Sequence, residues 1–314
     1  MKEKKDPDVT IITPVFDSDD SFLKKIANKI KMQDYNGKVY HIFINDNPKR
    51  KRKIFGLNII NNKKNLGLAP TLKKGFKLAK TRIIISLMDD CLPSSNDWLK
   101  KIVEPLKDRE VAATSSKVEL PKKFWEKFDY FAKALTEKEQ RVIIPGLDEK
   151  GCAYKKDILK KYGYFDTKNF KNGGEDTDLT IKLSEKWKIV NSDAKVYHLH
   201  KTNIRKRIKK EIQYAIIGGL VSRKHFFKLP WNFKIHVSVR IILFLSLLFF
   251  LFYDLKYSLI NLFIIFLISN FRFISQFKKL GKDIRIILVP FLNLYIYFLY
   301  VFFFLEALIF KIKV

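Results

Sequence analysis

"RIIISLMDDCLP" (residues 82–93) runs an Ile-rich, uncharged stretch straight into two adjacent aspartates, Asp89 and Asp90. Three successive isoleucines read as a buried strand, because β-branched side chains fit a pleated surface covered on both faces. Two neighbouring carboxylates repel each other, so without a counter-charge one of them tends to keep a proton. The pair is therefore either a turn that happens to be acidic, or the recognition element for something that needs both, a divalent cation or a ligand hydroxyl. Mg²⁺ and Mn²⁺ commonly take one or two protein carboxylates and complete their shell with substrate phosphates.

Working outward, "VTIITPVF" (9–16), "KVYHIFIN" (38–45) and "LNIIN" (57–61) are further Val- and Ile-rich runs. Between them, "DSFLKKIANKIKMQ" (20–33) and "APTLKKGFKLAK" (69–80) carry apolar residues at helical spacing. Strand–helix alternation of this kind predicts an α/β domain, a mostly parallel sheet covered by helices on both faces. Ligands in such sheets bind beyond the carboxyl ends of the strands, which is where Asp46 and the Asp89/Asp90 pair fall.

The charge is uneven, 61 Lys+Arg against 32 Asp+Glu for a net +29. A surface of that sign attracts polyanions, but Lys, Ile, Asn and Phe are all abundant, as an AT-rich coding sequence also makes them. No aromatic-plus-basic recognition motif stands out before residue 201, so no nucleic-acid partner is expected. Cys91 and Cys152 are far apart, with no paired spacing for a disulfide framework or a zinc site, and fit a reducing compartment. "MKEKKDPDVT" has no apolar core, so no cleavable signal peptide is expected.

Near residue 235 the composition changes. Residues 241–253, 257–271 and 286–305 are uncharged runs of 13, 15 and 20 residues. A spanning helix needs about 20 apolar residues. The third run qualifies alone. The first does so if it extends back through Val237, with Arg240 snorkelling to the interface; the short join at 254–256 makes the first two a tight hairpin, either two short spans or a pair dipping into one leaflet. Lys and Arg dominate residues 201–234 and 272–285, which predicts both on the cytoplasmic side and places the α/β domain there too. Lys311 and Lys313 would then lie outside, against the same rule. The expected organisation is a domain over 1–200, a basic interfacial or linker segment over 201–235, and a membrane domain over 236–314 with segments 237–253, 257–271 and 286–305.

Several motifs can carry chemistry. In "TPVFDSDD", Pro14 and Asp17 follow the first strand; in "FINDNP", Asn45 and Asp46 either accept from a base or ribose, or simply end the strand. In "NKKNLGLAPTLKKGF", Asn65 and Gly67 precede a helix start whose free N–H groups suit an anion, with Lys73 and Lys74 adding charge. In "GGEDTDL", Glu175 and Asp176 open a helix, as capping favours or as a carboxylate base requires. His198 and His200 in "VYHLH" offer nitrogen ligands.

In order, these motifs together with "GCAYKKDILKKYGYFD" resemble the family 2 glycosyltransferases of the GT-A fold, over roughly residues 8–200. The resemblance implies an inverting enzyme that moves a sugar from a nucleotide-diphosphate sugar donor, with Mg²⁺ or Mn²⁺ on the diphosphate. It assigns Pro14, Asp17, Asn45, Asp46, Asn65, Gly67 and Asp89 to the nucleotide-sugar. It assigns Asp90 and His198 to the metal, Asp176 to the general base and Glu175 to an acceptor or sugar contact. Met88 stands where many members carry the first acid of a triple, and Asn45 where Asp is common. The membrane segments point to a multi-pass protein of the cell membrane, in contact with membrane lipids. They suit a lipid-linked or surface-glycan saccharide acceptor, the alternatives being a polyprenyl- or dolichyl-phosphate acceptor or a non-catalytic scaffold of the same fold.

Overall fold

The computed structural model describes residues 5–137, 146–281 and 283–310. The strands are β1 (Val9–Val15), β2 (Val39–Asn45), β3 (Ile59–Asn61), β4 (Ile83–Ser86), β5 (Cys91–Pro93), β6 (Val111–Glu119), β7 (Cys152–Lys155) and β8 (Lys188–His198). The helices are α1 (Asp20–Lys31), α2 (Leu68–Leu78), α3 (Trp98–Val103), α4 (Lys122–Trp125), α5 (Tyr130–Leu135), α6 (Lys156–Lys161) and α7 (Glu175–Leu183). They continue as α8 (Ile204–His225), α9 (Trp231–Tyr253), α10 (Leu255–Ser269), α11 (Phe273–Leu280) and α12 (Val289–Ile309). Two compact units result, Met1–Phe124 with Glu139–His200, and Trp125–Lys138 with Lys201–Val314.

The first unit is built on one sheet of order β3-β2-β1-β4-β7-β6-β8-β5. β1, β2, β3 and β4 pair in parallel, as strand–helix alternation requires, and so do β6 and β8. The sheet is mixed beyond β4, because β7 runs antiparallel to both β4 and β6, and β5 antiparallel to β8. The consecutive isoleucines of β4 divide between the faces. Ile83 and Ile85 join a core with Ile26, Trp98 and Leu99 on one side, and Ile84 joins Leu72, Phe76 and Leu179 on the other. Burial on both faces is what an unbroken apolar run encodes.

Strand direction sets the edge where chemistry collects. β1, β2 and β4 all end at it, and the antiparallel β7 begins at it, with Cys152 opposite Ser86. β5 pairs Cys91 with His198 at the end of β8.

The second unit is helical. α9 and the stretch Ile284–Ile309 are long and apolar enough to cross a membrane. α10, 15 residues long, spans about 22 Å, short of a hydrocarbon core of about 30 Å. It bends by 52° into α11, and the pair qualifies only together. Residues 204–225 form a single helix, α8, whose second half lies on α12. Gly219 permits this, since a Cβ there would strike the Phe304 carbonyl and the Ala307 side chain. The small residues let the two backbones approach closely.

Candidate active site

At the strand ends, a cleft of about 230 Å³ is lined by Pro14, Phe16, Asp46, Asn65, Gly67, Met88 and Asp89 among others. Five of the residues assigned above to the nucleotide-sugar meet there: Pro14, Asp46, Asn65, Gly67 and Asp89. Small-molecule pockets usually measure about 300–1,000 Å³, so this cleft takes part of a donor and the remainder lies over the open strand ends. Asp17 is exposed beside it, its carboxylate 3.5 Å from the Asn47 amide. Asn45 is buried and its amide nitrogen donates to the Arg50 carbonyl at 2.7 Å and to Asn61 Oδ1 at 2.7 Å. It shapes the loop after β2 and is not among the residues lining the cleft.

Asp46 also works on the protein itself. Its carboxylate accepts the Leu66 and Gly67 N–H groups at 2.9 and 2.8 Å and the Asn62 amide at 2.8 Å. The α2 N-terminus differs from its sequence reading as an anion site. Leu68 N–H donates to Asn172 Oδ1 at 3.3 Å and Ala69 N–H to the Lys171 carbonyl at 3.0 Å. Gly67 makes this closure possible at φ 92°, where a Cβ would also collide with Asn172. Lys73 and Lys74 point elsewhere, to the Phe165 carbonyl at 3.0 Å and to Asn62 Oδ1 at 2.6 Å. Long-range protein partners have taken the donors that a local reading leaves for a phosphate.

The acidic pair splits into two environments. Asp89 Oδ2 accepts the Phe16 N–H at 3.1 Å, and the Ser18 hydroxyl donates to the Asp89 carbonyl at 3.0 Å, tying the β1 loop to the pair. Burial and then the Asp90 charge push the Asp89 carboxyl up to about 6. Asp90 goes the other way. Burial alone would raise it, but the charge and hydrogen bond of His198, with Lys150 behind them, hold it below the ordinary carboxylate range. His198 Nε2 lies 2.9 Å from Asp90 Oδ2, and Leu199 N–H donates to the Asp90 carbonyl at 2.8 Å. The β5–β8 pairing joins residues 108 positions apart.

Asp90, Cys91 and His198 bring ligand atoms within 4.8 Å of one another. Burial pushes the Cys91 thiol up, and its Sγ lies 3.4 Å from Asp90 Oδ1 as a donor. A hard cation takes oxygen and imidazole ligands ahead of a thiol, so the set that suits Mn²⁺ is the Asp90 carboxylate and the His198 imidazole, with substrate oxygens completing the shell.

α7 presents the other carboxylates. Gly174 in the left-handed region (φ 87°) opens the helix. Glu175 is buried and Asp176 half-buried, so Asp176 is the carboxylate of the pair that still reaches the surface. Burial, followed by the charge of Asp148, raises Asp176 above its ordinary value, against the Thr177 N–H that donates to it at 2.7 Å.

Sequence reasoning missed Asp148, Glu149 and Lys150. They precede β7, whose antiparallel entry delivers them to the same edge as Asp90. Lys150 bonds both Asp148 oxygens, at 2.8 and 2.9 Å, and its charge acts on Asp90 and on Asp176. Glu149 is buried and hydrogen-bonded by Tyr154; desolvation pushes it up to about 8, so it is neutral at pH 7. No local motif marks the trio. Its signal is three charged residues in a row just before a buried strand.

Residues 10–163 match the family model described as Glycosyl transferase family 2. No curated protein sequence matches the chain. Among solved structures, a mannosyltransferase from Pyrobaculum calidifontis, in complex with GDP-Man and Mn²⁺, aligns at 18% identity and a TM-score of 0.48. The alignment covers 68% of this chain and 64% of that one, so this chain spans just under two thirds of its length. A mycobacterial protein aligns at 14% identity and a TM-score of 0.47, over 69% of this chain and 74% of its own.

Proposed function

With its sheet-bearing unit a member of glycosyl transferase family 2, we propose that this chain is a membrane-anchored inverting glycosyltransferase. It moves a sugar from a nucleotide-diphosphate donor to a hydroxyl of a saccharide carried on a lipid or a surface glycan. The observation that carries the reading is the convergence of Pro14, Asp46, Asn65, Gly67 and Asp89 on one cleft, with Asp90 following directly and His198 2.9 Å from it.

The nucleotide occupies the cleft, with Asp17 and Asp89 toward its ribose and Asn45 shaping the loop beneath it. Asp90 and His198 would hold a Mg²⁺ or Mn²⁺ ion, which would supply positive charge to stabilise a departing diphosphate. Asp176 takes the proton from the acceptor hydroxyl while that oxygen attacks the anomeric carbon opposite the leaving group, inverting it. A carboxylate raised by burial and by Asp148 is a better base near neutral pH than an exposed one. Lys150 restrains that rise, and Glu175, buried beneath, sets the start of α7 and supports the sugar side. The basic residues of 201–234 and 272–285 favour a cytoplasmic catalytic unit.

The test is a panel of nucleotide sugars supplied with Mn²⁺ to native membranes holding the protein, with free nucleotide measured. Release from one donor, abolished by Asp176→Asn, is the expected result; no release above empty membranes from any donor overturns the reading.

A further inference from the structure

The helical unit contains a cavity of about 1090 Å³ that plays no part in the donor site. It lies between α5 and the α11–α12 connection, and its charged wall carries Lys133, Lys278, Lys279 and Arg285. The wall is firmly built. Tyr130 donates to the Leu280 carbonyl at 3.3 Å, and the Gln276 amide donates to the Ala134 carbonyl at 3.1 Å. Arg272 and Ser275 both hold the buried Glu137, and Tyr130, which lines the cavity, packs in an apolar cluster with Ala134, Ile286 and Val289.

Two carboxylates also line the cavity, but both are already engaged. Asp129 accepts the N–H groups of Ala132 at 2.8 Å and Ile204 at 2.6 Å. Asp283 pairs with Arg285, whose guanidinium stacks on Tyr130 at 4.5 Å. Lys279 reaches Glu137 at 3.4 Å. Among the described residues Lys133 and Lys278 have no carboxylate partner, leaving a positive surplus.

Position then selects the anion. The cavity is lined in part by the charged stretch between two apolar helices, α10 and α12; Phe277 lines it, and Ile274, one turn before Lys278, and Ile284, between Asp283 and Arg285, are, like Phe277, more than half exposed. Lysines beside outward-facing aromatic and aliphatic side chains are the pattern of a bilayer interface, where cations meet head groups and apolar groups meet chains. A water-soluble phosphate would gain nothing from that apolar rim.

We propose that this cavity binds the anionic phosphate head group of a membrane lipid, through Lys133 and Lys278, with the lipid tail along Ile274, Phe277 and Ile284. The inference rests on the helical unit being inserted in a membrane and not on the transfer chemistry, so the two readings fail separately.

The full chain is reconstituted in phosphatidylcholine nanodiscs alone, or with a small fraction of a polyprenyl monophosphate or of phosphatidylglycerol. Lipids retained on release are counted by native mass spectrometry. Wild type is expected to retain an anionic lipid over phosphatidylcholine. The Lys133→Ala/Lys278→Ala variant should lose that preference by about tenfold or more, and the Arg pair at the same positions should keep it. Thermal unfolding in the same discs shows whether the alanine pair is folded; if it is not, Lys278→Gln at an exposed site carries the test. Equal retention by folded wild type and variant overturns the site. Displacement of the lipid by millimolar inorganic phosphate overturns the lipid assignment. Retention specific to one of the two anionic lipids supports the site and identifies its source.

Discussion

In the sheet-bearing unit Ile11, Phe76 and Ile84 are wholly enclosed, and charged residues cover the outside. In the helical unit Phe252 and Leu255 are 94% and 67% exposed, while Ser258, Asn261, Gln276 and Asn293 are buried. Asn261 donates to Ser246 at 2.6 Å, and Asn293 exchanges hydrogen bonds with Gln276 and donates to Asn270 Oδ1. The same chemistry thus points inward in one unit and outward in the other. Such an inversion is what a lipid surround selects for. Water rewards enclosing apolar area, whereas lipid offers no such reward and makes an unpaired polar group the costly one.

The largest expected effect is at Glu149, an acid buried in the sheet-bearing unit. Its pKa is raised from an ordinary 4.5 to about 8. The folded chain therefore keeps a proton that the unfolded chain releases, and its stabilising share is full below about 4.5 and gone above about 8. Thermal unfolding of the full chain should lose a few kcal/mol across that window. Glu149→Gln should flatten the loss, and an unchanged pH profile would mean that Glu149 is ionised in the fold.

Next in size is a pair of substitutions at exposed apolar residues. Ile242→Asp, at a 63% exposed position mid-way along α9, should cost about 3 kcal/mol in membrane insertion. Phe55→Asp, at a fully exposed position in the sheet-bearing unit, should change stability by less than about 0.5 kcal/mol. Glycosylation-mapping of insertion for the first and thermal unfolding for the second check them. Equal, small effects would break the contrast between the two surfaces. Smallest is Asn293→Leu, which should cost about 1 kcal/mol in a steric-trapping measurement of the helical unit; a gain in stability would show that the buried amides are not a clamp.

The parallel half of the sheet was legible because β1, β2 and β4 are uncharged runs rich in Val and Ile, separated by stretches with helical spacing. β5 is three residues long, too short for periodicity. β8 carries Asn191, Ser192, Asp193 and Lys195 within it, so its pattern reads as loop until it is seen to lie between β6 and β5. That one pairing brings His198 to Asp90, so the motif order named both residues but their contact was not in it. Asp148, Glu149 and Lys150 were invisible for a related reason, since only the antiparallel entry of β7 brings them to the site. The opposite error occurred at α2, where local sequence offers free N–H groups and the distant residues 171 and 172 have already taken them. α10 was legible as an apolar run too short to span alone; its 52° bend into α11 was not, because that depends on the turn at Asn270.

The central claim is that the Asp90–His198 pair and Asp176 perform separate halves of one sugar transfer. It is tested most directly by the transfer rate of the full, membrane-inserted chain as Asp90→Asn and as Asp176→Asn, each with and without Mn²⁺ after EDTA. The account predicts that EDTA silences the wild type and Mn²⁺ restores it, and that each variant falls by about 10²-fold or more with Mn²⁺ present. Full transfer by both folded variants, or wild-type transfer undiminished in excess EDTA, would contradict it.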